Sequence, residues 1–201
     1  MALPRVLLFD LGGVLVDSAG LQRLHTLIPA PLEAEALRRK WVTCPVVGLY
    51  ESGRCSETEF AAAFIAEWGL RLTPAAFVEE FASWVLDPYP GTAKLLADLA
   101  GRSTLACLSN TNATHWRKVK AMPDLSPVLG RTFLSFQLGL MKPSPEIFTR
   151  VAREIGCAPA EIAFFDDGPE NIAGAASAGL SAHHTVGPAA LRGKLRDLGV
   201  L

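Results

Sequence analysis

The stretch that most restricts what this chain can become is residues 6–17, VLLFDLGGVLVD. Its apolar residues run without alternation into a single carboxylate, Asp10, and the following turn carries Gly12 and Gly13. A short apolar run of this kind suits a strand covered on both faces, and such strands belong to parallel sheets. Residues 104–108, 132–134, 162–165 and, with a weaker pattern, 182–186 repeat the signal. Between them lie helical patterns at 92–100, 144–155 and 170–178, which stop at Gly101, Gly156 and Gly179. Glycine just past a last turn supplies the left-handed stop. Strands alternating with helices predict an α/β fold, a Rossmann-like parallel sheet core flanked by helices.

From about Ser18 to Pro88 the alternation breaks, and helical patterns alone are visible. SETEFAAAFIAEWG opens with a capping box from Ser56 to Glu59. TPAAFVEEFASWVL sets Thr73 as N-cap and Pro74 in the first helical position. APLEAEALRRKWV reads as a third helix, and DPYPG at 87–91 marks the return to the sheet. The expected organisation is a core of 1–16 and 89–201 with a small all-helical cap, 17–88, inserted after the first strand. Open α/β sheets bind ligands beyond the carboxyl ends of their strands, so an insert leaving from that edge covers the site.

Composition removes several functions. Half of the residues are hydrophobic and 19% are charged, which excludes a disordered or fibrous chain. A formal charge of −1 without a basic cluster argues against nucleic acid. No run approaches the roughly eighteen apolar residues of a membrane span. The first apolar run is too short for a signal segment, and Cys44, Cys55, Cys107 and Cys157 are too scattered for zinc. A cytoplasmic protein with idle thiols is expected, as monomer or homodimer; Trp41, Trp68 and Trp84 suit either a cap core or an interface.

The chemistry gathers at the strand ends. The first strand delivers Asp10, the second Ser109 and Asn110, and the fourth Asp166 and Asp167, with Asn171 a turn later. Lys142 precedes a helix whose start is marked by Ser144 and Pro145. Each element is commonplace alone; their order on successive strand ends is not. Three converging carboxylates repel unless a cation intervenes, and oxygen ligands without thiol or imidazole favour Mg²⁺. A nucleophilic carboxylate, a cation, a lysine and hydroxyl or amide donors suit phosphoryl transfer.

The motifs FDLGGVL, LSN, MKPSPEIF and FFDDGPENI resemble those of the haloacid dehalogenase superfamily of phosphohydrolases. With ESGRCSETEF, they are similar to the subgroup that includes bacterial α-D-glucose-1-phosphate phosphatases. The resemblance implies that Asp10 takes the phosphoryl group as an aspartyl phosphate. It implies Mg²⁺ on Asp10, the Gly12 carbonyl and Asp167, with Asp166 either direct or through water. Ser109 and Asn110 would bind the phosphoryl group of a small phosphorylated substrate, and Lys142 would tie nucleophile to phosphate.

The first motif departs from the family pattern. Most phosphatases of the superfamily carry a second Asp, the general acid, where this chain has Gly12. General acid–base help contributes about 10²–10⁴-fold, so its loss points to a leaving group that departs unaided, such as an aryl or anomeric phosphate. Asp17 is the first substitute acid to consider, followed by Tyr50, Glu51, His25 and His115. A weakly active binding protein and a metal-independent dehalogenase are the competing readings; the second leaves Asp166 and Asp167 unexplained.

Overall fold

The computed structural model describes residues 3–201. In chain order, β1 (Val6–Phe9) and β2 (Val16–Ser18) precede the helices α1 (Gly20–Leu27), α2 (Ala34–Val42), α3 (Pro45–Glu51), α4 (Glu57–Trp68) and α5 (Pro74–Ala82). β3 (Val85–Pro88), α6 (Thr92–Leu99), β4 (Thr104–Ser109), α7 (Ala113–Val119), α8 (Ser126–Leu129) and β5 (Thr132–Leu134) follow. The chain ends with α9 (Ser135–Leu138), α10 (Pro145–Ile155), β6 (Ile162–Asp166), α11 (Pro169–Ser177), β7 (Ser181–His184) and α12 (Gly187–Asp197).

The main sheet is parallel, in the order β5-β4-β1-β6-β7. Its central strands are apolar throughout because helices cover both faces. Leu7 and Phe9 of β1, with Ala163 and Phe165 of β6, enter one buried cluster with residues of α6 and α12. Val6 and Leu8, with Ile162 and Phe164, enter the opposite cluster with α10 and α11. The two-residue period of the pleat divides one apolar run between two cores.

A third cluster lies within α1–α5 and the chain around them, and it is largely aromatic. Phe60, Phe64, Phe77, Phe81 and Trp84 are all buried, with ring centroids 5.0–6.4 Å apart in their contacts. Trp68 and Trp84 are buried in this cluster, and half-buried Trp41 packs against it, so these indoles serve its interior. The capping box appears as expected: Ser56 Oγ accepts from the Glu59 N–H, and Glu59 accepts from the Ser56 N–H. Thr73 caps α5, with Pro74 in its first turn.

Two expectations need correction. The region read as purely helical is bounded by a small antiparallel ribbon, with Val16 opposite Pro88 and Ser18 opposite Val85. Strands this short, one of them VLDP, carry no periodic signal; they exist because distant segments meet. The last strand is Ser181–His184, earlier than 182–186, because a half-buried edge strand lacks the continuous apolar run of a central one.

Candidate active site

Parallel register assembles the site. Phe9 is level with Cys107 of β4 and Phe165 of β6, so all three strands end at one edge. Asp10 follows β1 and donates its N–H to the Phe165 carbonyl at 2.8 Å. Ser109 closes β4 and Asp166 closes β6. Lys142, in the loop before α10, is buried with its Nζ 3.1 Å from Asp10 Oδ1 and 2.5 Å from Asp166 Oδ2. Asp166 Oδ1 accepts from the Gly168 N–H at 2.8 Å and from Asn171 Nδ2 at 2.9 Å. Oxygens of Asp10, Asp166 and Asp167 lie within 4.8 Å of one another.

One lysine is too little charge for three acids. Burial raises the Asp10 carboxyl to about 7; Lys142 opposes this shift, while Asp166 and Asp167 reinforce it. Burial, and then Asp166, also raise Asp167. Burial works against the Lys142 ammonium, but Asp10 and Asp166 outweigh it and hold that pKa above the ordinary lysine value. An all-oxygen donor set with surplus negative charge fits a hard divalent cation. Gly13 makes the approach possible. A Cβ there would sit 2.2 Å from Asp167 Oδ2, on a backbone whose φ of +71° already disfavours a side chain.

The structure brings Asp10, Gly12, Ser109, Asn110, Lys142, Asp166 and Asp167 to this edge, and gives Asn110 a particular task. Its Nδ2 donates to the Lys142 carbonyl at 2.8 Å, and its Oδ1 accepts from the Lys142 N–H at 2.9 Å. The side chain predicted to grip phosphate thus clamps the backbone that carries the lysine. That pairing is invisible in sequence, where the two residues lie 32 apart. Ser135 is a second support that sequence reasoning missed: its Oγ accepts from the Thr111 N–H at 2.9 Å and donates to the Thr111 carbonyl at 3.0 Å. Its only sequence signal is a serine directly after a strand.

A cleft of about 220 Å³ opens between this edge and the helical insert, bordered by Gly12, Asp17, Glu51, Ser109 and His115 among others. The substitute acids separate here. Tyr50 is buried, its hydroxyl 2.5 Å from Thr114 Oγ1. His25 is exposed on α1 and borders a different depression. His115 stacks on Phe81, its Nε2 lies 2.9 Å from the Phe81 carbonyl, and burial pushes its pKa down to about 4. Asp17 Oδ1 accepts from the Ser18 N–H at 2.8 Å. Glu51 is half-buried, and burial raises its carboxyl to about 7 against the pull of Lys142.

Residues 4–179 match the family model of haloacid dehalogenase-like hydrolases. The chain is 27% identical over 173 residues to the D-ribitol-5-phosphate phosphatase of Bacteroides thetaiotaomicron, across 83% of this chain and 84% of that one. It superimposes with a TM-score of 0.73 on a family enzyme from the same organism, solved with magnesium and inorganic phosphate. Identity there is 25%, over 90% of this chain and 93% of the other. The L-2-haloacid dehalogenase from Xanthobacter autotrophicus shares the fold at a TM-score of 0.65 and 21% identity, over 90% of this chain and 77% of that one. No helix among the described residues is long and apolar enough to cross a membrane.

Proposed function

The chain belongs to the haloacid dehalogenase-like hydrolases, and from that premise we propose a Mg²⁺-dependent phosphatase that works through an aspartyl phosphate on Asp10. The observation that carries the reading is the gathering of Asp166 and Asp167 beside Asp10. A hydrolase whose aspartate attacks carbon needs no cation, and would set two further acids against its nucleophile for no purpose. Asp10, Asp167 and the Gly12 carbonyl would hold the ion. Asp166, whose oxygens already accept from Lys142, Gly168 and Asn171, supports it at one remove. When bound, Mg²⁺ neutralises charge on the phosphoryl oxygens.

The Leu11 N–H, 2.7 Å from Asp10 Oδ1, and the Lys142 ammonium fix the carboxylate for in-line attack on phosphorus. The bond from phosphorus to the leaving oxygen breaks as the acyl phosphate forms. Water then hydrolyses the acyl phosphate and restores Asp10. Lys142 balances charge at both stages, and Ser109, buried at the end of β4, contacts the phosphoryl oxygens. A small phosphate ester, polyol phosphate or sugar phosphate suits a cleft of about 220 Å³. The name of the Bacteroides relative supports that substrate class.

The test is release of an aryl phosphate with and without Mg²⁺, for wild type and Asp10→Asn. The expected result is metal-dependent release that falls more than about 10⁴-fold in the variant. Release that ignores the metal would sink the reading.

A further inference from the structure

A primary alkyl phosphate, the class to which the relative's named substrate belongs, leaves as a poor alkoxide and needs a proton. Gly12 has no side chain to give one. The same cleft that reaches Gly12 and Ser109 is bordered from the other side by Glu51, at the end of α3. Glu51 also borders the adjoining cleft, which contains Lys142 and Asn110. It is therefore the carboxyl that the helical insert presents toward the reacting edge. We infer that Glu51 donates the proton to the leaving-group oxygen, a step that rests on the phosphatase reading above.

The other candidates are committed elsewhere. Tyr50 is engaged by Thr114, His115 by Asn112 and the Phe81 carbonyl, and Asp17 by its neighbouring backbone. Glu51 has no hydrogen-bonding partner among the described residues, only the charge of Lys142 nearby. Its position is nonetheless fixed on both sides. Tyr50, just before it, is 2.5 Å from Thr114 of α7, which in turn donates to Glu57 of α4. Gly53, two residues after it, lies so close to α9 that a Cβ would come within 2.1 Å of the Phe136 carbonyl oxygen. These two seams hold the end of α3 against the sheet domain, so the backbone that carries Glu51 is fixed at the border of both clefts.

The ionisable groups facing it from packed elements are Lys142 before α10, Glu170 of α11, His115 of α7 and Asp17 after β2 begins. Lys142 favours the carboxylate, yet burial dominates and raises the Glu51 carboxyl to about 7, so a substantial fraction of it carries a proton near neutral pH. Asp10 attacks phosphorus, the phosphorus–oxygen bond breaks, and the departing oxygen takes the Glu51 proton as an alcohol. Water then cleaves the acyl phosphate and restores Asp10, and the Glu51 carboxylate regains its proton from solvent before the next turnover.

The test compares Glu51→Gln with wild type on D-ribitol 5-phosphate and 4-nitrophenyl phosphate. The alkyl substrate should lose about 10²–10⁴-fold in kcat, while the aryl substrate changes only a few-fold. The alkaline limb of the alkyl pH–rate profile should disappear. Gly12→Asp added to Glu51→Gln should restore at least about tenfold of the alkyl turnover, since a Cβ at position 12 meets nothing within 4 Å. An equal loss on both substrates, an unchanged alkyl rate, or no rescue by the folded double variant overturns the assignment. Those outcomes leave the phosphatase reading standing, because that reading is decided separately by Mg²⁺ dependence and Asp10→Asn on the aryl substrate.

Discussion

The sheet edge and the helical insert face each other across one cleft, but they place their candidate functional side chains by different means. At the edge, backbone register decides: Asp10, Ser109 and Asp166 are where hydrogen-bonded parallel strands stop. A one-residue slip would turn each side chain to the opposite face. In the insert, packing decides. Its cluster of Phe60, Phe64, Phe77, Phe81 and Trp84 gives cohesion, and its aim comes from the seams at Tyr50 and Gly53. Register is a local, obligatory property of a strand. An aim set by packing depends on every contact behind it, and so can change without disturbing the chemistry opposite.

Breaking the aromatic cluster gives the largest expected effect. Phe60→Ala removes a ring that stacks on Tyr50 at 4.3 Å and touches Phe64, Phe77 and Phe81, and should cost about 3–5 kcal/mol. Trp41, Trp68 and Trp84 report on this cluster. If the insert coheres separately, tryptophan fluorescence in the variant should lose most of its signal at lower denaturant than far-UV circular dichroism, with Trp116, packed against the sheet core, changing later. Coincident transitions would mean the two regions are one cooperative unit.

A pair of glycine substitutions sharpens the contrast. Gly13→Ala forces Asp167 away and strains a backbone at φ +71°, a strain of roughly 1–2 kcal/mol by itself. Aryl-phosphate turnover should fall about 10²-fold, with a higher Mg²⁺ requirement for half-maximal rate. Gly53→Ala, with φ +70° and the Phe136 carbonyl in its path, should leave that Mg²⁺ requirement alone while weakening alkyl-phosphate turnover. If both variants shift the Mg²⁺ requirement alike, the division of labour is wrong.

The smallest effect concerns pH. His115 has a folded pKa of about 4, below its ordinary 6.5, because burial disfavours its charged form. Between those values the unfolded chain binds a proton at this site that the folded chain refuses, so the contribution of His115 to stability falls as pH drops from 6.5 towards 4. The raised Asp10 and Glu51 carboxyls act in the opposite direction. His115→Gln should remove this contribution, so the Tm difference between wild type and variant should change across the window by the equivalent of about 1 kcal/mol. A Tm difference between variant and wild type that stays constant across the window would show that the imidazole is solvated.

Much of the sheet domain was legible because its determinants are local. Continuous apolar runs marked β1, β4, β5 and β6, and Gly101, Gly156 and Gly179 marked where helices end. Asp10, Ser109, Asp166 and Asp167 could be placed at one edge because a strand's end is a sequence position. The β2–β3 ribbon could not be read, since each half gains its hydrogen bonds only from the other. Nor could the use of Asn110, whose amide is satisfied by the backbone of Lys142 across a loop.

The sequence by itself determined the α/β class, the order of the acids along the strands, and the missing side chain at Gly12. Those follow from residue type and short-range periodicity, which fix strands, stops and the groups they carry. Tertiary structure alone decided which of the candidate acids borders both clefts. Glu51, Asp17, Tyr50, His25 and His115 were all candidates by chemistry. Burial, the Thr114 seam and the close approach at Gly53 left Glu51 bordering both clefts without a hydrogen-bonding partner among the described residues. A side chain's partners lie in distant parts of the chain, and only the packed fold brings them together.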